Sequence, residues 1–361
     1  GVLQKAGELS RPHYDNILNR IKVMAHMRID EHFAAQDGAL RFQDGEITTD
    51  MRISVVPTID GEKLVIRLLT SYLRSLTLSD IGLSKEHQQI LDVAVQKPFG
   101  MILSTGPTGS GKTTTLYGVL KRLNSPDVNV STIEDPVEYK IAGVNHIQVN
   151  LATKLTFAKG LRSIVRQDPD IILVGEIRDE ETADIAVNAA LTGHLLLSTF
   201  HANDAATAIP RLLDMGIEPF LLASTLDLIM AQRLVRRICE QCRYSYMEEL
   251  ATIVAKYPHV SDYYDNAPEI LLYKGKGCVS CNHTGYQGRI GIFEIIRVSP
   301  EFQTLILTNP SAQNIAQLAR EEGSRSLFED GLDKVKQGVT TLEEVVRLAP
   351  PAPRIKINRP S

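Results

Sequence analysis

The hydrophobic pattern at the start of the chain predicts one helix followed by short strands. Apolar side chains recur every three or four positions over residues 14–29, which is the spacing of an amphipathic helix. Four strand-like segments follow, at residues 39–42, 47–49, 51–56 and 63–69. The turn formers Asp44 and Gly45 separate the first two segments, and residues 58–61 form the turn of a hairpin between the last two. Residues 1–70 are therefore predicted to be an α+β module.

Beyond a linker predicted at residues 71–80, the pattern changes to apolar runs that alternate with helical stretches. The runs that we interpret as buried strands are residues 100–104, 129–133, 170–175 and 195–199. Buried apolar strands separated by helices indicate a mostly parallel sheet with right-handed crossovers. An α/β fold is therefore expected for residues 81–236.

The rest of the chain divides into three further segments. Residues 237–287 contain all four cysteines, arranged in two Cys-x-x-Cys pairs. Residues 288–349 are mainly helical in pattern, whereas residues 350–361 contain four prolines and no amphipathic repeat. We therefore expect a metal-binding segment, a C-terminal helical region and a disordered tail, in that order.

Composition narrows the classes of protein to which the chain can belong. The chain has 361 residues, enough for two to four domains, and its 43% hydrophobic and 23% charged residues are ordinary for soluble globular proteins. The net charge of −4 provides no general attraction to nucleic acid, so no nucleic-acid partner is expected. No apolar run approaches the roughly 18 residues that cross a bilayer.

Residues 106–113 read Gly-Pro-Thr-Gly-Ser-Gly-Lys-Thr, which is the full spacing of a phosphate-binding loop. An apolar run precedes the loop and a helical stretch follows it, so backbone N–H groups and a helix N-terminus converge where an anion can bind. Lys112 is placed to reach the β- and γ-phosphates, and the Thr113 hydroxyl is placed to ligate Mg²⁺. The sequence therefore predicts that the chain binds a nucleoside triphosphate. The residues predicted to bind it are Gly106, Pro107, Thr108, Gly109, Ser110, Gly111, Lys112, Thr113 and Thr114.

Carboxylates follow two of the apolar strands, at the strand ends where ligands of open α/β sheets bind. Glu176 follows the run at residues 171–174 and is the candidate for the acid on the metal side of the nucleotide. Glu134, Asp135 and Glu138 follow the preceding strand, and one of them is a candidate to orient or deprotonate the attacking water. The alternative for this second group is a solvated acidic turn.

Two histidines and two arginines are further candidates. His194 and His201 flank the fourth apolar strand, and either one can be a purely structural group. In a parallel sheet His201 lies at the same end as Glu176, which makes it a candidate sensor of the γ-phosphate. Arg52 and Arg67 face each other if the hairpin turn is symmetric. Opposed like charges destabilise a bare hairpin, so an anion between them explains the pair; the alternative is two ordinary exposed arginines.

The four cysteines form a candidate metal site. Two pairs of thiolates, each held by a short turn, are typical of tetrahedral structural Zn²⁺, and the predicted ligands are Cys239, Cys242, Cys278 and Cys281. A site closed by four thiolates is expected to be structural, and the long segment between the pairs, residues 243–277, to be an inserted lobe. Free thiols and disulfides are the alternatives, and a cytosolic nucleotide-binding protein favours metal over disulfides.

Taken together, these motifs resemble the ATPases of type II secretion and type IV pilus assembly. The matching segments are GPTGSGKT, TIEDPVEY, LRSIVRQDPDIILVGEIRD, LTGHLLLSTFHAND, the two Cys-x-x-Cys pairs and GRIGIFEII. The hairpin PTIDGEKLVIRLL of the first module matches as well, so the resemblance covers nearly the entire chain. It implies a RecA-like ATPase core with a PAS-like N-terminal module.

The resemblance also implies roles for individual residues. The catalytic residues that it implies are Lys112, Glu138, Glu176, His194, His201, Arg52 and Arg67. Glu176 is the counterpart of the Walker B acid, and Glu138 is the counterpart of the water-activating residue in the family's aspartate box. The two histidines correspond to its histidine box. The two arginines match positions that reach the nucleotide phosphates from the N-terminal module.

ATPases of this family hydrolyse ATP with Mg²⁺ as a homohexameric ring on the cytoplasmic face of the inner membrane. The resemblance therefore implies an inner-membrane platform protein as the partner, which adds pilin subunits to a fibre. The tetracysteine segment points to the assembly and secretion branch, because retraction ATPases lack it. The family's N-terminal docking domain has no counterpart in this sequence, so contacts with a membrane-anchoring partner are expected to be lost.

Two other functions are alternatives to a secretion or pilus ATPase. A nucleic-acid motor with a zinc module is disfavoured by the pI near 6.2 and by the lack of a basic, aromatic-rich track. A non-catalytic module that binds nucleotide only to fix its shape is disfavoured by the presence of both Glu138 and Glu176. Secretion and pilus assembly share these motifs.

Overall fold

The computed structural model of the chain describes residues 3, 5–45, 47–69, 76–264 and 267–351. It divides into two compact units, Gly1–Leu76 and Thr77–Ser361. Residues 71–75 of the predicted linker lie outside the described residues, as does the predicted disordered tail beyond residue 351. None of the helices in the described ranges combines the length and hydrophobicity that crossing a membrane requires.

The first unit contains one α-helix and a three-stranded antiparallel sheet among its described residues. The elements are α1 (Tyr14–Met24), β1 (Gln36–Asp44), β2 (Ile47–Thr58) and β3 (Gly61–Leu69), with the strands in the order β1-β2-β3. The helix ends earlier than predicted because His26 adopts left-handed backbone (φ 59°), which cannot continue it. The predicted α+β content is confirmed, whereas the PAS-like assignment stays a prediction.

The strand pattern of the first unit differs from the sequence prediction in one respect. The segments predicted separately at residues 47–49 and 51–56 form a single strand, β2, which pairs with both of its neighbours. Ile53 and Val55, two positions apart on β2, are buried in the small core, because alternate residues of a strand point to the same face.

The second unit is built on a mixed seven-stranded sheet. Its strands are β4 (Gly100–Thr105), β5 (Val130–Glu134), β6 (Val144–Gln148), β7 (Ile171–Val174), β8 (Leu195–Phe200), β9 (Leu226–Ile238) and β12 (Tyr286–Arg297). Their order is β12-β9-β4-β8-β7-β5-β6, and every neighbouring pair is parallel except β12 with β9. The predicted α/β fold and its mostly parallel sheet are therefore confirmed.

Helices connect these strands and extend beyond them. They are α2 (Lys85–Val95), α3 (Lys112–Leu123), α4 (Phe157–Ile164), α5 (Glu180–Leu191), α6 (Ala208–Asp214), α7 (Pro219–Thr225), α8 (Leu250–Lys256), α9 (Pro300–Thr308), α10 (Ala312–Glu321), α11 (Leu327–Lys336) and α12 (Leu342–Leu348). A separate two-stranded sheet of β10 (Arg243–Glu249) and β11 (Glu269–Gly275) lies between the cysteine pairs, where an inserted lobe was expected.

The predicted C-terminal helical region is confirmed as α9–α12 between residues 300 and 348, whereas residues 288–297, which were also predicted to be helical, belong to the edge strand β12. The strand pairs with β9 continuously from Arg289 to Arg297, with an irregularity between Tyr286 and Arg289, and so completes the main sheet. The four strands predicted from apolar runs are all present, and every residue of β4, β5, β7 and β8 is buried. Because these central strands are parallel, their carboxyl ends meet at one edge of the sheet, where the candidate site lies.

Candidate phosphate-binding site and cysteine cluster

The phosphate-binding loop connects β4 to α3, which begins at Lys112. Gly106, Gly109 and Gly111 have φ values of 147°, 78° and 91°, a region that other residues rarely adopt. A Cβ atom on Gly111 would also lie 2.8 Å from Nε2 of Gln232, a buried side chain on β9. The loop therefore needs glycine both for its backbone conformation and for its close contact with β9.

The loop offers polar groups that the protein itself leaves unsatisfied. Within the described residues, the backbone N–H groups of Thr108, Gly109 and Gly111 donate to no protein acceptor, and the buried Ser110 hydroxyl has no hydrogen-bond partner. Lys112 Nζ donates to the carbonyl oxygens at the start of the loop, at 2.8 and 3.1 Å. Unpaired donors around a lysine fit the phosphates of a nucleotide.

Glu176 lies two residues after the end of β7, at the same edge of the sheet as the loop. Its Oε1 atom is 2.6 Å from Nη2 of Arg178, and its Oε2 atom is 3.3 Å from Nε2 of His201. Burial lowers the pKa of Lys112, and the negative charge of Glu176 opposes that shift. The structure thus brings together the loop lysine, the predicted metal-side acid and His201.

The three acids of the aspartate box differ in their surroundings. Glu134 is the last residue of β5, is 2% exposed, and accepts hydrogen bonds from Tyr117 and Thr132. Asp135 is exposed to solvent, whereas Glu138 is half-buried. The solvated acidic turn considered from the sequence is therefore wrong for Glu134, whose carboxylate is enclosed by protein donors.

His194 lies away from this group. It precedes β8, whereas His201 follows it, so the two residues are separated by the length of an extended strand, about 20 Å. Its Nδ1 atom is 2.8 Å from the carbonyl oxygen of Ala189 at the opposite edge of the sheet. The structure therefore does not bring His194 to the phosphate-binding loop of the same chain.

Two residues that the sequence reasoning missed lie beneath the loop. Gln232 accepts a hydrogen bond from the Thr115 hydroxyl (2.8 Å), and its backbone carbonyl packs against Gly106. The guanidinium of Arg233 donates to the backbone carbonyls of Gln232 and Asn203, and burial lowers its pKa. The signal that could have revealed them is a Gln-Arg pair that directly follows the apolar residues 228–231.

Arg52 and Arg67 lie in the first unit. They are directly opposite each other in the β2–β3 ladder, as the symmetric turn predicts. Arg52 is half-buried and Arg67 is exposed. The pairing of the two arginines is confirmed, and their contact with phosphate stays a prediction.

The sulfur atoms of the four cysteines form a compact cluster, and all of them lie within 4.8 Å of one another. Cys239 Sγ is 3.8 Å from Cys278 Sγ, and Cys281 Sγ is 3.9 Å from Cys242 Sγ and 3.7 Å from Cys278 Sγ. Four sulfurs bound to Zn²⁺ at about 2.3 Å in a tetrahedron are about 3.8 Å apart. The cluster therefore fits Zn²⁺, and its sulfurs are too far apart for disulfides.

Comparison with known proteins agrees with these motifs. The family described as Type II/IV secretion system protein matches residues 1–347. The type IV pilus assembly ATPase PilB of Thermus thermophilus is 45% identical over 346 residues, which are 96% of this chain and 38% of PilB. The type II secretion system protein E of Pseudomonas aeruginosa is 45% identical over 348 residues, which are 96% of this chain and 68% of that protein.

A solved structure shares the fold. The Legionella pneumophila ATPase DotB aligns with a TM-score of 0.67 and 20% sequence identity, over 95% of this chain and 84% of DotB. At that identity the likeness concerns the fold alone. Because the family match covers nearly the whole sequence and two relatives are 45% identical to it, the chain belongs to the type II/IV secretion system protein family.

Proposed function

We propose that this chain is a motor ATPase, which hydrolyses ATP to ADP and phosphate to power pilin or pseudopilin assembly in pilus biogenesis or type II secretion. The observation that carries the proposal is the phosphate-binding loop, with its unpaired N–H groups and Lys112, at the same sheet edge as Glu176. Family membership and the names of the two relatives support the coupling to secretion or pilus assembly.

In this mechanism the loop binds the nucleotide and Glu138 positions the attacking water. Lys112 moves its ammonium group from the loop carbonyls to the β- and γ-phosphates, while Thr113 and Glu176 are the residues that would hold Mg²⁺. The ion, when bound, neutralises charge on the phosphates. Glu134 is unsuited to activate water because its carboxylate is buried and hydrogen-bonded to protein groups. Glu138 is the counterpart implied by the family resemblance.

His201 and the two opposed arginines are the remaining proposed participants. The imidazole of His201 is 3.3 Å from Glu176, so it can respond to changes in charge at the γ-phosphate. We propose that Arg52 and Arg67 add positive charge needed for turnover. Catalysis of phosphoryl transfer depends largely on electrostatic stabilisation of the transition state.

The test is the turnover of purified protein with three matched variants. Glu176→Gln and Glu138→Gln should each retain nucleotide binding and lower kcat by about 10²-fold or more. Asp135→Asn, which changes an exposed neighbouring acid, is the control and should stay within about threefold of wild type. Undiminished hydrolysis by Glu176→Gln would favour a nucleotide-binding module without catalysis. A large loss in Asp135→Asn alone would move the water-activating role to that residue.

We further propose that the working form is a homohexamer on the cytoplasmic face of the inner membrane, where it acts on a platform protein. Membership of the type II/IV secretion family supports this proposal. Sedimentation analysis with and without ATP tests the ring, and a particle that stays monomeric with saturating nucleotide contradicts it.

A further inference from the structure

A buried hydrogen-bond network surrounds Glu134, which the proposed mechanism does not use. The Tyr117 hydroxyl donates to Glu134 Oε2 at 2.5 Å, and the Thr132 hydroxyl donates to Oε1 at 2.6 Å. Tyr117 and Thr132 are fully buried and Glu134 is 2% exposed. A carboxylate in such surroundings is costly unless donors satisfy it, so these contacts hold the side chain in one arrangement.

His146 supplies a further donor to the same carboxylate. Its Nε2 atom accepts a hydrogen bond from the backbone N–H of Ile141 at 3.1 Å, so Nε2 carries no proton. In the neutral imidazole the proton is then on Nδ1, which lies 3.1 Å from Glu134 Oε1 and 3.0 Å from the Thr132 hydroxyl oxygen, so its hydrogen bond is shared between these two acceptors. The backbone donor at Nε2 therefore assigns the tautomer of His146.

Two side chains therefore connect Glu134 to the backbone of the loop that carries Glu138. On one side, the N–H of Glu138 donates to the Tyr117 hydroxyl oxygen at 3.3 Å. On the other, the N–H of Ile141 donates to His146. The phenol and the imidazole each accept from the loop and donate to the carboxylate, so the loop is held at two points by one buried anion.

Tyr117 also connects this loop to the phosphate-binding helix. It lies on α3, whose first residue is Lys112, so its position follows that of the loop lysine. The ring of Tyr139, next to Glu138 in sequence, packs edge-on against Tyr117 with ring centres 4.7 Å apart. A displacement of α3 is therefore passed to the Glu138 segment through one rigid, buried aromatic side chain.

We propose that Tyr117 is a positioning residue, which fixes Glu138 relative to the phosphate-binding loop, with Glu134 as its anchor. The inference rests on the proposed ATPase function. Its physical reason is that phosphoryl transfer depends mainly on the placement of groups, and a displacement of about 1 Å can lower a rate about 100-fold. A role in folding alone is the competing explanation, and it predicts no link between Tyr117 and the Glu138 side chain.

The experiment is a double-mutant cycle on kcat in the full chain. Tyr117→Phe removes the hydroxyl and keeps the ring, and we expect kcat to fall about 10-fold or more while the affinity for a fluorescent ADP analogue changes less than about twofold. In the Glu138→Gln background the same change should lower kcat less than about twofold further, because the group it positions is already lost. The matched control is Tyr264→Phe, whose buried hydroxyl has no hydrogen-bond partner among the described residues.

A second measurement is independent of turnover. Amide hydrogen exchange of residues 135–141 should become faster in Tyr117→Phe and stay unchanged in Tyr264→Phe, because the hydroxyl no longer holds the Glu138 N–H. If Tyr117→Phe does not fold, His146→Leu removes the other connection and should show the same selective loss of kcat and the same coupling to Glu138.

The outcomes separate the two proposals. An inactive wild-type chain that still binds ATP overturns the proposed function and, with it, this inference. An active wild type whose kcat is unaffected by Tyr117→Phe overturns the inference alone. Equal losses of kcat in the wild-type and Glu138→Gln backgrounds also overturn it, because they indicate a general structural role.

Discussion

The stability of the second unit should depend strongly on one buried carboxylate, Glu344 on α12. Its side chain is 2% exposed. Its oxygens accept from Arg236 Nη2 at 2.7 Å, from the Arg236 backbone N–H at 3.1 Å and from Arg347 Nη2 at 2.9 Å. Burial by itself raises the pKa of Glu344, but the bonds from Arg236 and Arg347 outweigh it and lower the pKa from 4.5 to about 2.

Replacing this carboxylate by an amide removes that stabilisation. A pKa of about 2 in the folded state, compared with 4.5 in the unfolded state, corresponds to about 3 kcal/mol at neutral pH. Because the folded-state pKa is the lower one, the contribution is fully present above about pH 4.5 and is lost as the pH falls towards about 2. Glu344→Gln should therefore lower the free energy of unfolding by about 3 kcal/mol at pH 7.

Urea unfolding followed by circular dichroism at pH 7 measures this difference. The control is Glu343→Gln, because Glu343 is the sequence neighbour, its side chain is 40% exposed, and it lies 3.4 Å from Lys274. An exposed pair contributes less than about 1 kcal/mol. The difference between wild type and Glu344→Gln should also stay constant from pH 6 to 8. Equal unfolding energies for the two variants, or a difference that grows as the solution is acidified, would refute the reasoning.

Three further predictions concern the metal, the phosphate loop and the first unit. Purified protein should contain one Zn²⁺ per chain, and Cys281→Ala should release it; an unchanged zinc content in metal analysis would contradict the tetrahedral site. Gly111→Ala places a Cβ 2.8 Å from Gln232, so the affinity for ATP should fall about tenfold or more in titrations. The control is Gly193→Ala, because Gly193 also has a positive φ but its added Cβ would have no atom within 4 Å, and ATP binding should stay unchanged. Arg67→Ala should bind nucleotide with nearly wild-type affinity and lose most of its turnover; unchanged kcat would exclude the arginine from catalysis.

The sequence predicted those features that local geometry specifies. The phosphate-binding loop was recognisable because its function needs glycine at fixed positions between a strand and a helix, and Gly106, Gly109 and Gly111 do have positive φ values. The register of Arg52 with Arg67 was predictable because a tight turn fixes which residues of a hairpin face each other. The central strands were predictable since strands buried on both faces must be apolar throughout.

The sequence analysis missed the interior strand β9 and both outer strands of the main sheet, β6 and β12. β6 is a short outer strand that is only partly buried, so it lacks a continuous apolar run. β12 follows the cysteine segment and pairs with β9, which precedes that segment. Pairing between segments so far apart in sequence leaves no local pattern. The polar residues at the start of β12 also give this part of the strand the sequence character of a loop.

The sequence by itself determined which functional groups this protein carries: a phosphate-binding loop, acids after neighbouring strands, two histidines and four thiolates. The tertiary structure decided which of these groups are buried and which of them lie next to one another. It buries Glu134 under three donors while Glu138 stays only half-buried, and it places His201 beside Glu176 but His194 at the far edge of the sheet. The physical reason is that residue type fixes what a side chain can do. Its surroundings, assembled from distant segments, fix whether water, phosphate or only other protein groups can reach it.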